Sequence, residues 1–318
     1  MSDKNVTERL LADAAGIARA AEILREGGLV AVPTETVYGL AARADSDEAI
    51  AKIYAAKGRP SFNPLIVHVA SIEQGRMLAD FTASAEAAAR QAWPGALTLV
   101  LPIRPRALIA DAVTAGLSTL ALRMPAHPVM QRLIDECGFP LAAPSANRSN
   151  AISPTTADHV LETLDGRIDA VIDGGECEKG LESSILAIRH GGAWEELRSG
   201  PFDLEALRNA VQGAPSALGD NGKDTIEAPG QLVKHYSPGK PLRLDVVEGE
   251  GDEFVIGFGP IAGDYSLSEV GNLDDAAARL YAALHEAAKS DRPRIAIAPI
   301  PDQGIGKAIN DRLRRAAA

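Results

Sequence analysis

Helical periodicity alternating with short apolar strands, and a proline- and glycine-rich interruption followed by a second strand–helix–strand–helix block, predict an α/β protein built in two units. The first unit reads as an open mixed sheet flanked by helices, because helices and strands mingle in it with no clean repeat. The second reads as a small parallel α/β domain of Rossmann-like pattern. The expected divisions are 1–212, a linker at 213–241, and 242–318.

Each element carries its own signal. Residues 12–27 (ADAAGIARAAEILREG) place apolar side chains at helical spacing and stop at Gly27-Gly28, which release the chain into an apolar strand at 29–33. Asp45 or Ser46 caps the helix EAIAKIYAAK, which closes at Gly58, and a short buried strand follows at 65–70. Strands are expected at 97–102, 119–124, 140–145, 169–173 and 183–188, and helices near 84–92, 127–137, 155–164 and 203–211. Residues 213–241 mix proline, glycine and polar residues without periodicity, hence the linker. Beyond it, strands at 254–258 and 294–300 bracket a helix at 273–289, and a last helix runs over 305–316.

Composition narrows the function. With 46% hydrophobic residues but only 4% aromatics, the core must be built from Ala, Leu, Val and Ile. No run of about 18 apolar residues occurs, so no membrane span is expected. The opening residues mix charges of both signs, unlike a signal peptide, and the chain is read as cytoplasmic. Two cysteines, Cys137 and Cys177, make neither a metal cluster nor a disulfide framework. The net charge of −11 argues against coating nucleic acid by bulk electrostatics. Yet the segment from Lys52 to Arg148 has ten Lys or Arg against six Asp or Glu, a local balance of +4 that leaves −15 elsewhere. A basic island of that kind suits a polyanionic small ligand, and equally a solvated face with chance clustering. The familiar catalogues are silent: there is no P-loop, no G-x-S-x-G elbow and no zinc-ligand spacing among the six histidines. The segment 257–263 imitates a dinucleotide fingerprint, but it has one residue too many and an internal proline, and a plain turn fits it better.

Three segments carry more chemistry than structure requires. Pro33-Thr-Glu-Thr-Val-Tyr-Gly-Leu40 ends an apolar strand, where α/β sheets hold ligands; a turn whose threonines satisfy backbone groups is the plainer account. Lys57-Gly-Arg59-Pro-Ser-Phe-Asn63-Pro-Leu-Ile-Val-His68 sets two cations around a helix-ending glycine. The helix macrodipole explains Lys57 but not Arg59, and His68 interrupts an apolar strand, where it could also be a hydrogen-bonded core histidine. Together the cations suit a triphosphate, a planar fork and a point charge for phosphate oxygens. Ala143-Pro-Ser145-Ala-Asn147 through Ser153-Pro again follows a strand, with small side chains that leave backbone N–H groups free for phosphate or ribose; for Ser153 a helix-capping role is as good.

P-T-E-T-V-Y-G-L, K-G-R-P-x-x-N-P-L-I-V-H and S-x-N, in this order and spacing, resemble the YrdC-like threonylcarbamoyl-AMP synthase family. The likeness extends through W-P-G-A-L-T (93–98), L-A-L-R-M-P (120–125), G-L-E-S-S-I (180–185) and L-R-S-G (197–200). The linker's P-G-Q-L-V-K-H-Y-S-P (229–238) resembles the long, two-domain form. One departure is Asn150, where many relatives have glycine. The resemblance implies a twisted sheet around a large basic cavity. It implies that Thr36, His68, Arg123 and Ser183 hold L-threonine, with a backbone group of Ala143 beside them. It implies ATP at Arg59, Asn63, Thr119, Ser145, Ser153, Arg198 and Tyr236, with Lys57 a cation near the phosphates and, with Arg59, part of the catalytic set.

The implied reaction joins L-threonine, bicarbonate and ATP into threonylcarbamoyl-AMP and pyrophosphate, for transfer to tRNA by a separate tRNA threonylcarbamoyl transferase. Mg²⁺ is expected on the ATP phosphates rather than in a protein cage. A structured-RNA-binding module of the same fold is the alternative, which the charge of −11 disfavours, and direct tRNA binding stays open. A carbamoyl-phosphate-dependent relative would need zinc-finger cysteines and an acylphosphatase-like segment, and the sequence has neither.

Overall fold

The computed structural model describes residues 6–189, 193–207, 211, 227–229 and 235–318. Along the chain, β1 (Glu8–Leu11), α1 (Ala14–Arg25), β2 (Val30–Val32) and β3 (Gly39–Arg43) lead to α2 (Asp47–Lys57) and β4 (Ile66–His68). Helices α3 (Ile72–Leu78) and α4 (Ala83–Ala92) precede β5 (Leu97–Pro102), the single turn α5 (Asp111–Thr114) and β6 (Thr119–Arg123). Next come α6 (Pro128–Cys137), β7 (Leu141–Ala142), α7 (Ala157–Leu164), β8 (Ala170–Asp173), β9 (Ser184–Ile188) and β10 (Trp194–Arg198). After the linker lie β11 (Leu242–Arg243), β12 (Glu253–Gly257), β13 (Tyr265–Ser266), α8 (Leu273–Lys289), β14 (Arg294–Ile297) and α9 (Gly306–Ala316). The helix expected near 203–211 is a 3-10 turn at Leu204–Leu207, and 208–210 lie outside the described residues. Of the expected linker, only 227–229 and 235–241 are described.

The first block forms a ten-stranded mixed sheet in the order β1-β8-β2-β3-β7-β4-β6-β5-β9-β10, and the last forms a four-stranded sheet, β11-β14-β12-β13, parallel throughout. Sequence signals miss three strands of the large sheet. β1 and β10 are its edges and carry the charges that edge strands use against further pairing (ERLL and WEELR). β3 (GLAAR) has no β-branched or aromatic residue; pairing to β2 and β7 and burial of Gly39–Ala42 make it a strand.

Strand alternation assigns the faces. Val30 and Val32 of β2, with Ala170 and Ile172 of β8, pack beneath α1 and α6. Ala31, Leu40 and Ala42, together with Val67, Leu99 and Leu122, point the other way, into the core under α2, α4 and α7. On the β4-β6-β5-β9 half, the face opposite that core is mixed: Ile66 and Ala121 join Val100, Ile185 and Ala187 in a small apolar cluster, while His68 and Arg123, one pleat further along β4 and β6, present polar groups, all alternating with the core residues Val67 and Leu122. That face is the floor of a cavity. His68 thus interrupts an apolar strand because it faces the cavity while its neighbour Val67 faces the core.

The C-terminal unit seats directly against this half. Its core, built on α8, α9 and the small sheet, also contains Val37, Ile152, Leu181 and Tyr236 from outside the unit. The approach is close: a Cβ built on Gly180, whose φ is +67°, would lie 2.3 Å from the carbonyl oxygen of Ala278 in α8. Only glycine tolerates both that contact and that backbone angle.

Candidate functional site

The cavity lies between the sheet floor, the 143–145 turn and the linker segments 229 and 235–236. It draws together Thr36, Arg59, His68, Arg123, Ala143, Ser145, Ser183, Arg198 and Tyr236. The other residues implied by the resemblance, Lys57, Asn63, Thr119 and Ser153, are not among this lining; Lys57, Asn63 and Ser153 are hydrogen-bonded to residues that are.

The P-T-E-T turn does two jobs. Thr34 satisfies the turn itself: its hydroxyl accepts from the backbone N–H of Thr36 and Val37, each at 3.2 Å. Thr36 turns its hydroxyl to Arg123, whose Nη1 donates to it at 2.9 Å. Arg123 also donates from Nη2 to Glu35 Oε1 at 2.5 Å and from Nε to the Gly95 carbonyl at 3.1 Å. Arg123 sits opposite His68 in the β4–β6 register. Burial and the Arg123 charge lower the His68 pKa to about 3, so the imidazole is neutral. Burial would raise the Glu35 carboxyl, but the adjacent guanidinium holds it below its ordinary value.

At the end of α2, Gly58 takes the left-handed conformation (φ 60°) and turns the chain so that Arg59 reaches the cavity wall half-buried. Its guanidinium donates to the carbonyls of Asn63 (3.3 Å) and Pro64 (2.9 Å). Burial, reinforced by the charge of Arg198, lowers its pKa to about 10. Lys57 is buried, and its ammonium donates to the carbonyls of Ser145 and Asn147. It braces the S-x-N loop from behind, and burial and Arg59 pull its pKa down. Thr119 shares the cavity-facing side of β6 by alternation, at the strand's far end from Arg123. Ser183 is held by Thr98 Oγ1 at 2.7 Å and by Arg198 Nη2 at 3.2 Å. Asn150 has φ 69°, the left-handed angle that explains glycine there in relatives and that asparagine tolerates. Its carbonyl accepts from Ser237 N–H at 2.8 Å and ties the loop to the linker.

The motifs contain site residues that the reading from sequence passes over: Glu35, Glu182 and His235. The first two are carboxylates inside buried segments, a signal that was legible in P-T-E-T and G-L-E-S-S. Among the described residues, the buried side-chain atoms without a partner are Glu35 Oε2, Asn63 Oδ1, His68 Nδ1, Asn147 Oδ1, His235 Nδ1 and Arg312 Nη2. All belong to the cavity or the segments behind its walls. Buried polar atoms are otherwise almost always paired, so this concentration of unpaired ones, mostly acceptors, suits a polar ligand with donors of its own, and the guanidiniums of Arg59, Arg123 and Arg198 on the same walls suit its anionic parts.

The Sua5–YciO–YrdC family model, described as telomere recombination, matches residues 22–200. A second family model, described as threonylcarbamoyl-AMP synthase, C-terminal domain, matches 202–318. The chain is 41% identical to a threonylcarbamoyl-AMP synthase of Bacillus subtilis, over 98% of this chain and 96% of the relative. It is 39% identical to one of Pyrococcus abyssi over the same shares. The crystal structure of P. abyssi Sua5 complexed with L-threonine superposes with a TM-score of 0.86 at 36% identity, covering 98% of this chain and 97% of that one. E. coli YciO, at 18% identity and a TM-score of 0.56, shares the fold of the first unit.

Proposed function

This chain belongs to the Sua5–YciO–YrdC family of threonylcarbamoyl-AMP synthases, and we propose from that membership that it acts as a nucleotidyltransferase on L-threonine, bicarbonate and ATP. The amine of threonine takes up CO₂ supplied as bicarbonate, the carbamate oxygen attacks the α-phosphate of ATP, and pyrophosphate leaves. Such a transfer needs placement and charge stabilisation rather than a protein nucleophile. The observation that carries this reading is the cavity's charge: Arg59, Arg123 and Arg198 converge on it, and both nearby carboxylates are already held by arginine.

Arg123 offers its fork to the threonine carboxylate, with Thr36, neutral His68, Ser183 and the backbone at Ala143 around the rest of the amino acid. An imidazole kept neutral at a pKa of about 3 offers the substrate a hydrogen bond rather than a site for its proton, and so adds no second cation beside the Arg123 guanidinium. Arg59 and Arg198 face the phosphates, Lys57 holds the Ser145 loop that meets them, and Asn63, Thr119, Ser153 and Tyr236 complete the nucleotide side. Mg²⁺ arrives on the ATP phosphates, in keeping with a wall that offers guanidiniums rather than free carboxylates. The linker carrying Tyr236 closes the site against water, which would destroy a carbamate or a mixed anhydride. The product goes to a tRNA threonylcarbamoyl transferase in the cytoplasm. The two cysteines are free, and no helix among the described residues is long and apolar enough to cross a membrane.

The test is to incubate the pure protein with ATP, threonine and bicarbonate and to follow pyrophosphate and the adenylate by mass spectrometry. Release that needs both threonine and bicarbonate supports the reading. Nucleotide turnover indifferent to threonine overturns it.

A further inference from the structure

We propose that the C-terminal unit is a working part of the nucleotide site, with Arg312 and Tyr281 as positioning residues that hold the Glu182 carboxylate, and with it Ser153 and Tyr236, in the arrangement that accepts ATP. Glu182 lines the cavity on the turn before β9, yet most of its partners come from across the interface. Tyr281 of α8 donates its hydroxyl to the two carboxylate oxygens at 3.0 and 2.9 Å. Arg312 of α9 donates from Nε at 3.1 Å. Among the described residues the remaining donor is Ser153, at 2.6 Å. Burial would raise the Glu182 pKa; Arg312 and Arg198, with Ser153, bring it to about 2, so the group stays ionised.

The same two residues grip the linker. The Tyr236 ring stacks on Tyr281 at 5.5 Å, and the Arg312 guanidinium lies 5.8 Å from the ring centre. Tyr236 has φ 64°, a strained angle for an aromatic residue that persists only where its surroundings enforce it. Arg312 is 0% exposed, and its Nη2 has no partner. A fully buried guanidinium with a spare donor costs stability, which fits a residue kept for its place beside the site better than one kept for packing. On the threonine side, Arg123 and His68 are held by the large sheet and the turn beside it, with no group from α8 or α9 among their hydrogen-bond partners. Loosening the latch should therefore disturb ATP far more than threonine.

This rests on the synthase reading. Full-length wild type, Arg312→Met, Tyr281→Phe and the double variant Glu182→Gln/Arg312→Met are compared by steady-state kinetics and by calorimetric titration with a non-hydrolysable ATP analogue. Arg312→Met is expected to raise the KM and Kd for nucleotide by about tenfold, the factor that 1.4 kcal/mol of lost contact gives, while the KM for threonine stays within about twofold. The double variant regains part of the nucleotide affinity, because an amide at 182 no longer needs a counter-charge. Tyr281→Phe, which keeps the packing, shifts the nucleotide constants in the same direction should Arg312→Met fail to fold. Equal changes in both KM values, or a lowered thermal midpoint with unchanged nucleotide affinity, overturn the latch. A wild type that releases no pyrophosphate defeats the synthase reading instead, and the nucleotide titration still decides the latch.

Discussion

Replacing Arg123 with methionine removes the cation from a pair whose side chains are 5% and 7% exposed, and leaves Glu35 charged and buried with one oxygen already unpartnered. Three contacts go at once: to Glu35, to the Thr36 hydroxyl and to the Gly95 carbonyl. Stranding one member of a buried pair costs about 3–5 kcal/mol, a large part of the roughly 5–15 kcal/mol that holds a domain together. With a urea dependence of about 2 kcal/mol per molar, the midpoint should fall by roughly 2 M. Both tryptophans, Trp93 and Trp194, lie in the ten-stranded unit, so their fluorescence follows the unfolding of that unit. Glu35→Gln/Arg123→Met should recover about half of the loss, because the amide needs no counter-ion. Threonine-dependent pyrophosphate release should stay abolished in both, since neither offers a cation to the substrate carboxylate. A single variant whose midpoint lies within about 0.3 M of wild type, or a double variant no more stable than the single, would refute the idea that this pair is a desolvated, mutually dependent unit.

Other expectations follow from the same geometry. Arg59→Ala should abolish turnover and leave the thermal midpoint level or slightly raised, because it removes a half-buried cation whose pKa is already depressed to about 10; unfolding at room temperature would show a structural residue instead. Serine should replace threonine with a loss of only about 1 kcal/mol in kcat/KM, one methyl's worth of contact, and equal rates would remove the case for a threonine pocket. A chain ending at Gln212 should keep the large sheet but expose Val37, Ile152 and Leu181 and strip Glu182 of Tyr281 and Arg312, leaving it the Ser153 hydrogen bond and the charge of Arg198, so its midpoint should drop and ATP titration should show little binding. Tyr236→Ala should reproduce part of that loss of binding, and undiminished affinity in both would reduce the linker to a tether. Acid should destabilise the protein early. His68 and His235 are held down to about 3 and His159 to about 4, mainly by burial, so below pH 6.5 the unfolded chain binds protons that the folded one refuses. Their contribution is complete above pH 6.5 and is lost as pH falls toward those values, at up to about 1.4 kcal/mol per pH unit for each histidine. Urea midpoints at pH 7, 6 and 5 should fall in turn, and a flat series would contradict the burial of these rings.

Local signals carried most of the elements. Ser46 and Gly58 bound α2 where the capping pattern places them, because cap chemistry is a property of neighbouring residues. β3 escaped because nothing in Gly-Leu-Ala-Ala-Arg favours a strand; two flanking strands and burial of Gly39–Ala42 impose it. The cavity motifs stood out because Arg59, Asn63 and His68 have no role in a purely apolar strand or cap. Glu182 did not, since its meaning depends on Tyr281 and Arg312, which lie 99 and 130 residues away in the chain.

The sequence by itself therefore determined the class of fold, the order of most of its elements and the segments that line the cavity, because periodicity, caps and strand-end polarity act over a few residues. Only the tertiary structure decided which charges cancel, which stay open to a ligand, and that Lys57 faces carbonyls while Arg59 faces the cavity. It alone brought α8 and α9 against the turn at 180–183. Pairing across more than a hundred residues is set by close packing and desolvation, which leave no local trace in the chain.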